Sequence, residues 1–191
     1  MSFEPIQRRR VQPRQKEITN LKLLTLGDSG VGKSMLVNAF LAEGELPEGD
    51  APTVGADFKV RMLKHAGKDY RVNVWDTSGD LKFLDVRNEF YKEAQGVILV
   101  FDITSRRSFQ NLEKWMDEVA KYAQGSEPSY ALVGNKIDLH TRLVQEQVAR
   151  DWAKSHGMPY FEVSGGPETC FNEADPAHIQ SFAYVYIYIY L

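Results

Sequence analysis

The chain has 191 residues, 43% of them apolar and 26% charged, a composition that predicts one soluble globular domain with a substantial core. The formal net charge of −3 gives no general attraction to nucleic acid, so we expect no nucleic-acid partner. The four histidines lack the spacing of metal ligands. The one cysteine excludes an internal disulfide, and no apolar run could span a bilayer. We therefore expect a cytoplasmic protein.

Residues 1–20 are polar, and we interpret them as a basic arm that precedes the domain. The arm carries five cationic side chains, which are Arg8, Arg9, Arg10, Arg14 and Lys16. This composition favours a flexible, solvated segment. The alternative is an electrostatic contact with acidic lipid or a partner, which would place the protein peripherally on membranes.

A strand, a glycine-rich loop and a helix follow the arm. Residues 21–26 predict a short apolar strand, and residues 35–41 predict a helix. The loop fits G-x-x-x-x-G-K-[ST], the phosphate-binding loop, and consists of Gly27, Asp28, Ser29, Gly30, Val31, Gly32, Lys33 and Ser34. Its backbone N–H groups and the helix N-terminus favour phosphate, Lys33 can reach the β- and γ-phosphates, and the Ser34 hydroxyl can bind Mg²⁺. A chance glycine-rich turn is the alternative.

Two extended segments come next and predict a hairpin. Residues 58–63 largely alternate and residues 70–75 alternate cleanly between apolar and polar, with a turn at 65–68. We expect this hairpin to supply an antiparallel edge to an otherwise parallel sheet. A polar segment, which we expect to be mobile, then continues through residue 91.

The remaining segments alternate between strands and helices. Residues 96–102, 130–134 and 160–163 predict buried strands, and helical spacing lies between them in residues 109–119 and 144–153. The fold class is therefore α/β, with a doubly wound, mostly parallel six-stranded sheet, one antiparallel edge strand and helices on both faces. The glycine- and acid-containing motifs all follow strands, where such folds bind ligands.

Taken together, these motifs resemble a Ras-type small GTPase over residues 21–174, the domain that we predict. They are the phosphate loop, a lone Thr53, D-x-x-G at 76–79, N-K-x-D at 135–138 and a final Ser164. Within that superfamily the chain is most similar to the Rab branch. Residues 86–92 and 95–100 are especially similar to Rab-like GTPases that carry a J-domain, although no His-Pro-Asp triplet, and hence no J-domain, is present.

The resemblance implies a P-loop NTPase that binds GTP or GDP with Mg²⁺ and hydrolyses GTP as a switch in signalling or vesicle trafficking. Its implied partners are an effector, an exchange factor and a GTPase-activating protein, and we expect a monomer. Ser34, Thr53 and Asp76 match the Mg²⁺ site, with Asp76 acting through a water. Gly79 matches the glycine whose N–H contacts the γ-phosphate, and loss of that phosphate would release both loops.

The resemblance also implies a guanine site. The Asp138 carboxylate could accept hydrogen bonds from N1–H and the exocyclic amine of guanine, a donor pair that adenine lacks. Asn135 belongs to the same motif, and the Lys136 stem could cover one face of the base. Ser164 and Gly165 match the final motif. This site argues against a rival interpretation as a P-loop ATPase or kinase.

Asp80 departs from the family, which has Gln at the position that orients the attacking water. Asp has no amide donor and adds negative charge near the phosphoryl group. We therefore predict slow hydrolysis, even if Asp80 points into solvent. A pseudo-GTPase scaffold that binds nucleotide without cycling is the rival function.

Two further departures concern the base and the C-terminus. No aromatic residue lies between Phe40 and Phe58, so Leu46 is the nearest candidate to pack on guanine, and we predict relaxed nucleotide affinity. Residues 175–191 form an atypical tail that is either an artefact of translation or a substitute helix, and the last helix is doubtful for that reason. The tail lacks a prenylation cysteine, so we expect no lipid anchor.

Phe58, Trp75 and Phe90 match the aromatic triad through which Rab proteins meet effectors. Exposed aromatic side chains make good binding anchors. The alternative is that all three are partly buried residues of the sheet and its neighbouring loop.

Overall fold

The structure is a computed structural model that describes residues 18–41 and 53–164. Its strands, in chain order, are β1 (Ile18–Leu26), β2 (Ala56–His65), β3 (Lys68–Thr77), β4 (Gly96–Asp102), β5 (Ser129–Asn135) and β6 (Tyr160–Glu162). They form one six-stranded sheet in the order β2-β3-β1-β4-β5-β6. All neighbouring pairs are parallel except β2 and β3, which pair antiparallel at the edge. The predicted fold class is confirmed.

Five α-helices accompany the sheet in the described part of the chain: α1 (Lys33–Leu41), α2 (Leu84–Arg87), α3 (Arg106–Gln110), α4 (Leu112–Tyr122) and α5 (Glu146–Ser155). Single 3₁₀ turns at Leu81–Phe83 and Asn88–Phe90 flank α2. Helix α1 packs on one face of the sheet through Val37 and Phe40. Helices α4 and α5 pack on the other through Trp115 and Ala149, so apolar side chains cover both faces. The doubtful last helix lies outside the described residues.

Several boundaries differ from those predicted. Strand β1 begins at Ile18, within the segment interpreted as the arm, and Ile18 pairs with Asp69 of β3. Residues 18–20 are exposed, so no apolar pattern marked this extension. The predicted helix at residues 109–119 is interrupted between α3 and α4, and α5 begins two residues after Val144. The rest of the arm, residues 1–17, and the tail lie outside the described residues.

The segment at residues 80–91 was expected to be polar and mobile. The structure instead folds it into α2 and the two short turns, and it buries Arg87 and Tyr91 completely, each with 0% of its surface exposed. The polar composition of the segment did not predict this packing, because one of the two buried side chains carries a charged guanidinium.

The carboxyl ends of β1, β3, β5 and β6 meet at one edge of the sheet. The phosphate loop follows β1, D-x-x-G spans the end of β3, N-K-x-D spans the end of β5, and Ser164 follows β6. This is the edge at which open α/β sheets bind ligands. Within residues 18–41 and 53–164, no helix has the length and apolar character needed to cross a membrane.

Candidate functional site

Lys33, the first residue of α1, places its ammonium group inside the phosphate loop. Its Nζ donates hydrogen bonds to the carbonyl oxygens of Gly27 and Asp28, each at 2.8 Å. Lys33 is only 6% exposed. Burial lowers its pKa to about 8, against the attraction of the Asp76 and Asp28 carboxylates. A cation therefore lies inside a loop whose helix N-terminus also favours anions.

Asn135 supports the phosphate loop from the end of β5. Its Nδ2 donates to the Val31 carbonyl at 2.8 Å, and Asn135 is 1% exposed. Gly32 has φ +94° and faces this amide so closely that a Cβ there would lie 2.3 Å from Nδ2. Only glycine fits that position. Asn135, which was predicted for guanine binding, thus also joins the guanine motif to the phosphate loop.

Asp28 connects the same loop to helix α4. Its carboxylate accepts hydrogen bonds from Asn111 Nδ2 at 2.7 Å and from Trp115 Nε1 at 2.9 Å. The side chain is therefore occupied, and any phosphate contact of Asp28 would come from its backbone N–H. Ser29 and Gly30 are exposed at the loop tip, whereas Val31 is buried in the core.

The three residues predicted to bind Mg²⁺ come together at the start of α1. Ser34 Oγ and Thr53 Oγ1 are 2.7 Å apart, within hydrogen-bond distance. Asp76 is 1% exposed, and its Oδ1 has no hydrogen-bond partner among the described residues. Burial raises the pKa of Asp76, while a hydrogen bond from Ser34 and the charge of Lys33 oppose that rise. The site therefore holds a costly unpaired carboxylate oxygen beside two hydroxyl groups.

The D-x-x-G loop packs directly on the phosphate loop. A Cβ at Gly79 would lie 2.3 Å from the backbone nitrogen of Ser29 and 2.4 Å from the carbonyl carbon of Asp28, so no larger residue fits there. The neighbouring Ser78 N–H donates to the Gly55 carbonyl at 2.8 Å. The segment that carries Thr53 is thus joined to the segment that carries Gly79.

Lys82, two residues along the chain, binds the Asp80 carboxylate. The carboxylate accepts a hydrogen bond from the Lys82 backbone N–H at 3.0 Å and forms an ion pair with Lys82 Nζ at 2.9 Å. These hydrogen bonds from Lys82 lower the pKa of Asp80, and 42% of its side chain is exposed. The side chain is thus partly exposed, and Asp80 also lines a cavity together with Gly30 and Gly79.

The guanine motif brings Asp138 and Ser164 together. The Ser164 hydroxyl donates to Asp138 Oδ1, and Asp138 itself is exposed to solvent. Lys136 forms an ion pair with Asp102 at 2.8 Å, and hydrogen bonds from Lys136 and Thr104 lower the pKa of Asp102 although burial opposes this. Gly165 and Leu46 lie outside the described residues.

The predicted effector residues form one aromatic stack. The ring centroids of Phe58 and Trp75 are 4.7 Å apart, and those of Trp75 and Phe90 are 4.3 Å apart. Phe58 is 45% exposed, while Trp75 and Phe90 are half-buried. The stack therefore combines the two alternatives given above: two of its rings are partly buried, and the third is exposed.

Sequence reasoning missed several residues around the site. Asn111 and Trp115 bind Asp28, Asp102 binds Lys136, and Arg87 contacts the D-x-x-G loop. Trp115 is a core residue of helix α4, and its indole N–H also binds Asp28. The one signal in the sequence was Asp28, because a partly buried carboxylate in the phosphate loop needs a hydrogen-bond donor nearby.

A cavity of about 540 Å³ lies between the phosphate loop, the D-x-x-G loop and helices α3 and α4. Gly30, Gly79, Arg107 and Lys114 are among its lining residues. Ser34, Thr53, Asp76 and Asp138 do not line it, so it is distinct from the predicted Mg²⁺ and guanine contacts. Within residues 18–41 and 53–164, no three His, Cys, Asp or Glu side chains are grouped to hold a metal ion.

Comparison with known proteins adds two findings. The model of the Ras family matches residues 22–179 of this chain. Ras-related protein Rab-1D of Dictyostelium discoideum is 39% identical over 155 residues, which cover 78% of this chain and 75% of that protein. The family match therefore covers the phosphate loop, D-x-x-G, N-K-x-D and Ser164.

Proposed function

The chain belongs to the Ras family, and from that premise we propose that it is a Rab-like GTP-binding protein that switches between GTP and GDP forms. The observation that carries the proposal is the arrangement of Lys33, Ser34, Thr53 and Asp76 around one phosphate loop. Asp138 lies at the same edge of the sheet. The proposed setting is intracellular signalling or vesicle trafficking, in the cytoplasm or peripherally on membranes.

Mg²⁺ fits the oxygen atoms gathered at Ser34, Thr53 and Asp76. Neighbouring ligands of octahedral Mg²⁺ at about 2.1 Å lie about 3.0 Å apart, near the 2.7 Å between the two hydroxyl oxygens. The unpaired Asp76 Oδ1 supplies the negative charge that such a site needs. When bound, Mg²⁺ would neutralise charge on the β- and γ-phosphates. Ser34 and Thr53 would bind it directly, and Asp76 would act through a water.

The switch follows from the contacts between the loops. Lys33 would exchange its two loop carbonyls for phosphate oxygens, and the Gly79 N–H would donate to the γ-phosphate. Because the Ser78 N–H already binds the Gly55 carbonyl, the Thr53 and Gly79 segments would respond together. Loss of the γ-phosphate removes a partner from each segment and so favours their release.

Selectivity for guanine tests the proposed ligand most directly. We would identify the nucleotide that copurifies with the chain and compete GTP against ATP. In Asp138→Asn the amide could not accept hydrogen bonds from both guanine donors, so the affinity for GTP should fall. The same amide could donate to the C2 carbonyl of xanthine, so the affinity for xanthosine triphosphate should rise. Binding of ATP as tightly as GTP would contradict the proposal.

Slow hydrolysis is the second part of the proposal, supported by the pairing of Asp80 with Lys82. We expect a single-turnover rate at or below about 10⁻⁴ s⁻¹, because no side-chain amide orients the attacking water. Asp80→Gln should accelerate hydrolysis by about tenfold or more. Asp80→Asn is the matched control, since it removes the charge but is too short to replace Gln.

A nucleotide-bound scaffold that does not cycle is the alternative function. The same pairing of Asp80 with Lys82 favours it, because the group at the catalytic position is held by a neighbour on its own turn. Absence of turnover in both the natural chain and Asp80→Gln, with guanine nucleotide bound, would favour the scaffold.

The proposed partners of the switch are an effector, an exchange factor and a GTPase-activating protein. The stack of Phe58, Trp75 and Phe90 supports an effector surface, because it places an exposed ring beside the segments that would change with nucleotide. We also propose that the switch acts as a monomer.

A further inference from the structure

Arg87, in the last turn of α2, is a fully buried cation at the back of the D-x-x-G loop. Its Nη1 donates to the carbonyl oxygens of Ser78 at 3.2 Å and Asp80 at 2.8 Å. These two carbonyls flank Gly79, whose N–H is the proposed γ-phosphate donor. Arg87 therefore holds the backbone on both sides of that donor.

The other end of the guanidinium is fixed to helix α4. Arg87 Nε and Nη2 donate to the two carboxylate oxygens of Glu118 at 2.6 and 2.8 Å. The Tyr91 hydroxyl donates to the same carboxylate, and the guanidinium carbon lies 4.7 Å from the centre of the Trp115 ring. Every nitrogen of the planar fork is thus engaged, an arrangement that a lysine ammonium cannot reproduce.

The same helix also holds the phosphate loop, because Trp115 Nε1 donates to Asp28 Oδ1 at 2.9 Å. Both segments that would contact the γ-phosphate are consequently fixed to one turn of α4, the first through Asp28 and the second through Arg87. A buried ion pair is weak support for stability, since apolar residues of similar size often stabilise as much. Fixing the geometry of the loop is a better explanation for this one.

We propose that Arg87 is a positioning residue that holds the Gly79 N–H ready for the γ-phosphate and so sets the preference of the switch for GTP over GDP. The inference rests on the proposed function. GDP lacks the γ-phosphate and would not use this N–H. Loosening the loop should therefore weaken GTP binding selectively, whereas general damage to the fold would weaken both nucleotides equally.

The test compares GTP and GDP affinities, with Mg²⁺, for the natural chain and Arg87→Lys. We expect the ratio of GTP to GDP affinity to fall by about fivefold or more. Glu118→Gln keeps the shape of the carboxylate partner but removes its charge, and it should change the ratio in the same direction. It also keeps the test decisive if Arg87→Lys does not fold.

Arg142→Lys is the matched control. Arg142 donates from both terminal nitrogens to Glu162, each at 2.8 Å, and to the Val144 carbonyl at 3.2 Å, but it is remote from the D-x-x-G loop. It should reduce thermal stability without moving the ratio. Equal losses of GTP and GDP affinity in Arg87→Lys, or an unchanged ratio, would overturn the inference.

Amide hydrogen exchange of residues 76–86, measured without nucleotide, separates this inference from the proposed function. Arg87→Lys should exchange faster there, and Arg142→Lys should not. Unchanged exchange in Arg87→Lys would overturn the positioning role even if guanine nucleotides bind. Failure of the natural chain to bind guanine nucleotide would instead overturn the proposed function, and the role in GTP preference with it.

Discussion

Lys33 is the residue of the phosphate loop whose charged form is disfavoured by burial. Its ammonium is buried against two carbonyl oxygens, and its pKa falls from 10.5 to about 8 because burial disfavours the charged form. Between these two values the unfolded chain binds more protons at Lys33 than the folded chain. The free energy of unfolding of the nucleotide-free protein should therefore rise with pH through that window.

The affinity for nucleotide should depend on pH in the opposite direction. Bound phosphate oxygens would stabilise the ammonium and raise the pKa of Lys33 again. Above about pH 8 binding must then take up a proton, and GDP affinity should fall by up to about tenfold per pH unit. Titrations of GDP between about pH 7 and about pH 9 measure this slope. Lys33→Met should bind weakly and lose the slope, and any ionisation of guanine would affect both proteins alike. A natural chain whose GDP affinity does not change over that range would contradict the prediction.

At the scale of elements, the end of β5 supports the phosphate loop through the hydrogen bond from Asn135 to Val31. Asn135→Ala would leave the buried Val31 carbonyl without its donor, which should lower the free energy of unfolding by about 1–3 kcal/mol. The loop would also lose the hydrogen bond that supports it, so the affinities for GTP and GDP should fall together. Chemical denaturation and nucleotide titration measure the two effects.

Asn73→Ala is the control for Asn135→Ala. Asn73 Nδ2 also donates to a backbone carbonyl, at 3.2 Å, but that carbonyl belongs to Leu21 within β1 and not to the phosphate loop. It should lower stability slightly and leave nucleotide affinity unchanged. Equal effects of the two substitutions on affinity would show that Asn135 has no special connection with the loop.

The elements themselves were largely predictable from the sequence. Continuous apolar residues predicted β4 with its observed bounds, Gly96–Asp102, and the hairpin of β2 and β3 followed from alternation. Strand β1 was predicted too short because Ile18 and its two successors are exposed, and exposed residues carry no periodic signal. The split between α3 and α4 was missed because apolar spacing continues across Asn111.

The site was predictable where backbone motifs define it, and less so where side chains from distant elements meet. The resemblance to small GTPases grouped Ser34, Thr53 and Asp76, and the structure places the Ser34 and Thr53 hydroxyl oxygens 2.7 Å apart. The contacts of Arg87 with Glu118 span 31 positions and join charged residues that composition assigns to the surface. Their burial depends on tertiary packing, and no local pattern in the sequence contains that information.

At the scale of the whole molecule, the proposed nucleotide site joins segments that otherwise meet only at the edge of the sheet. The phosphate loop follows β1, Gly79 follows β3, and Asp138 follows β5. A ligand that contacts all three would stabilise the folded chain against unfolding as one unit. At about 1,000 times its dissociation constant, such a ligand adds about 4 kcal/mol.

Thermal unfolding should therefore report the proposed ligand and ion directly. For a chain of this size, GDP with Mg²⁺ at that excess should raise Tm by about 8–16 °C over the nucleotide-free protein. Removal of Mg²⁺ with EDTA should reverse much of the shift, because Asp76 Oδ1 would again be buried without a partner. ATP at the same concentration is the control and should have little effect. A Tm that GDP does not change, or that EDTA leaves unchanged in the GDP complex, would contradict a Mg²⁺-dependent guanine-nucleotide site.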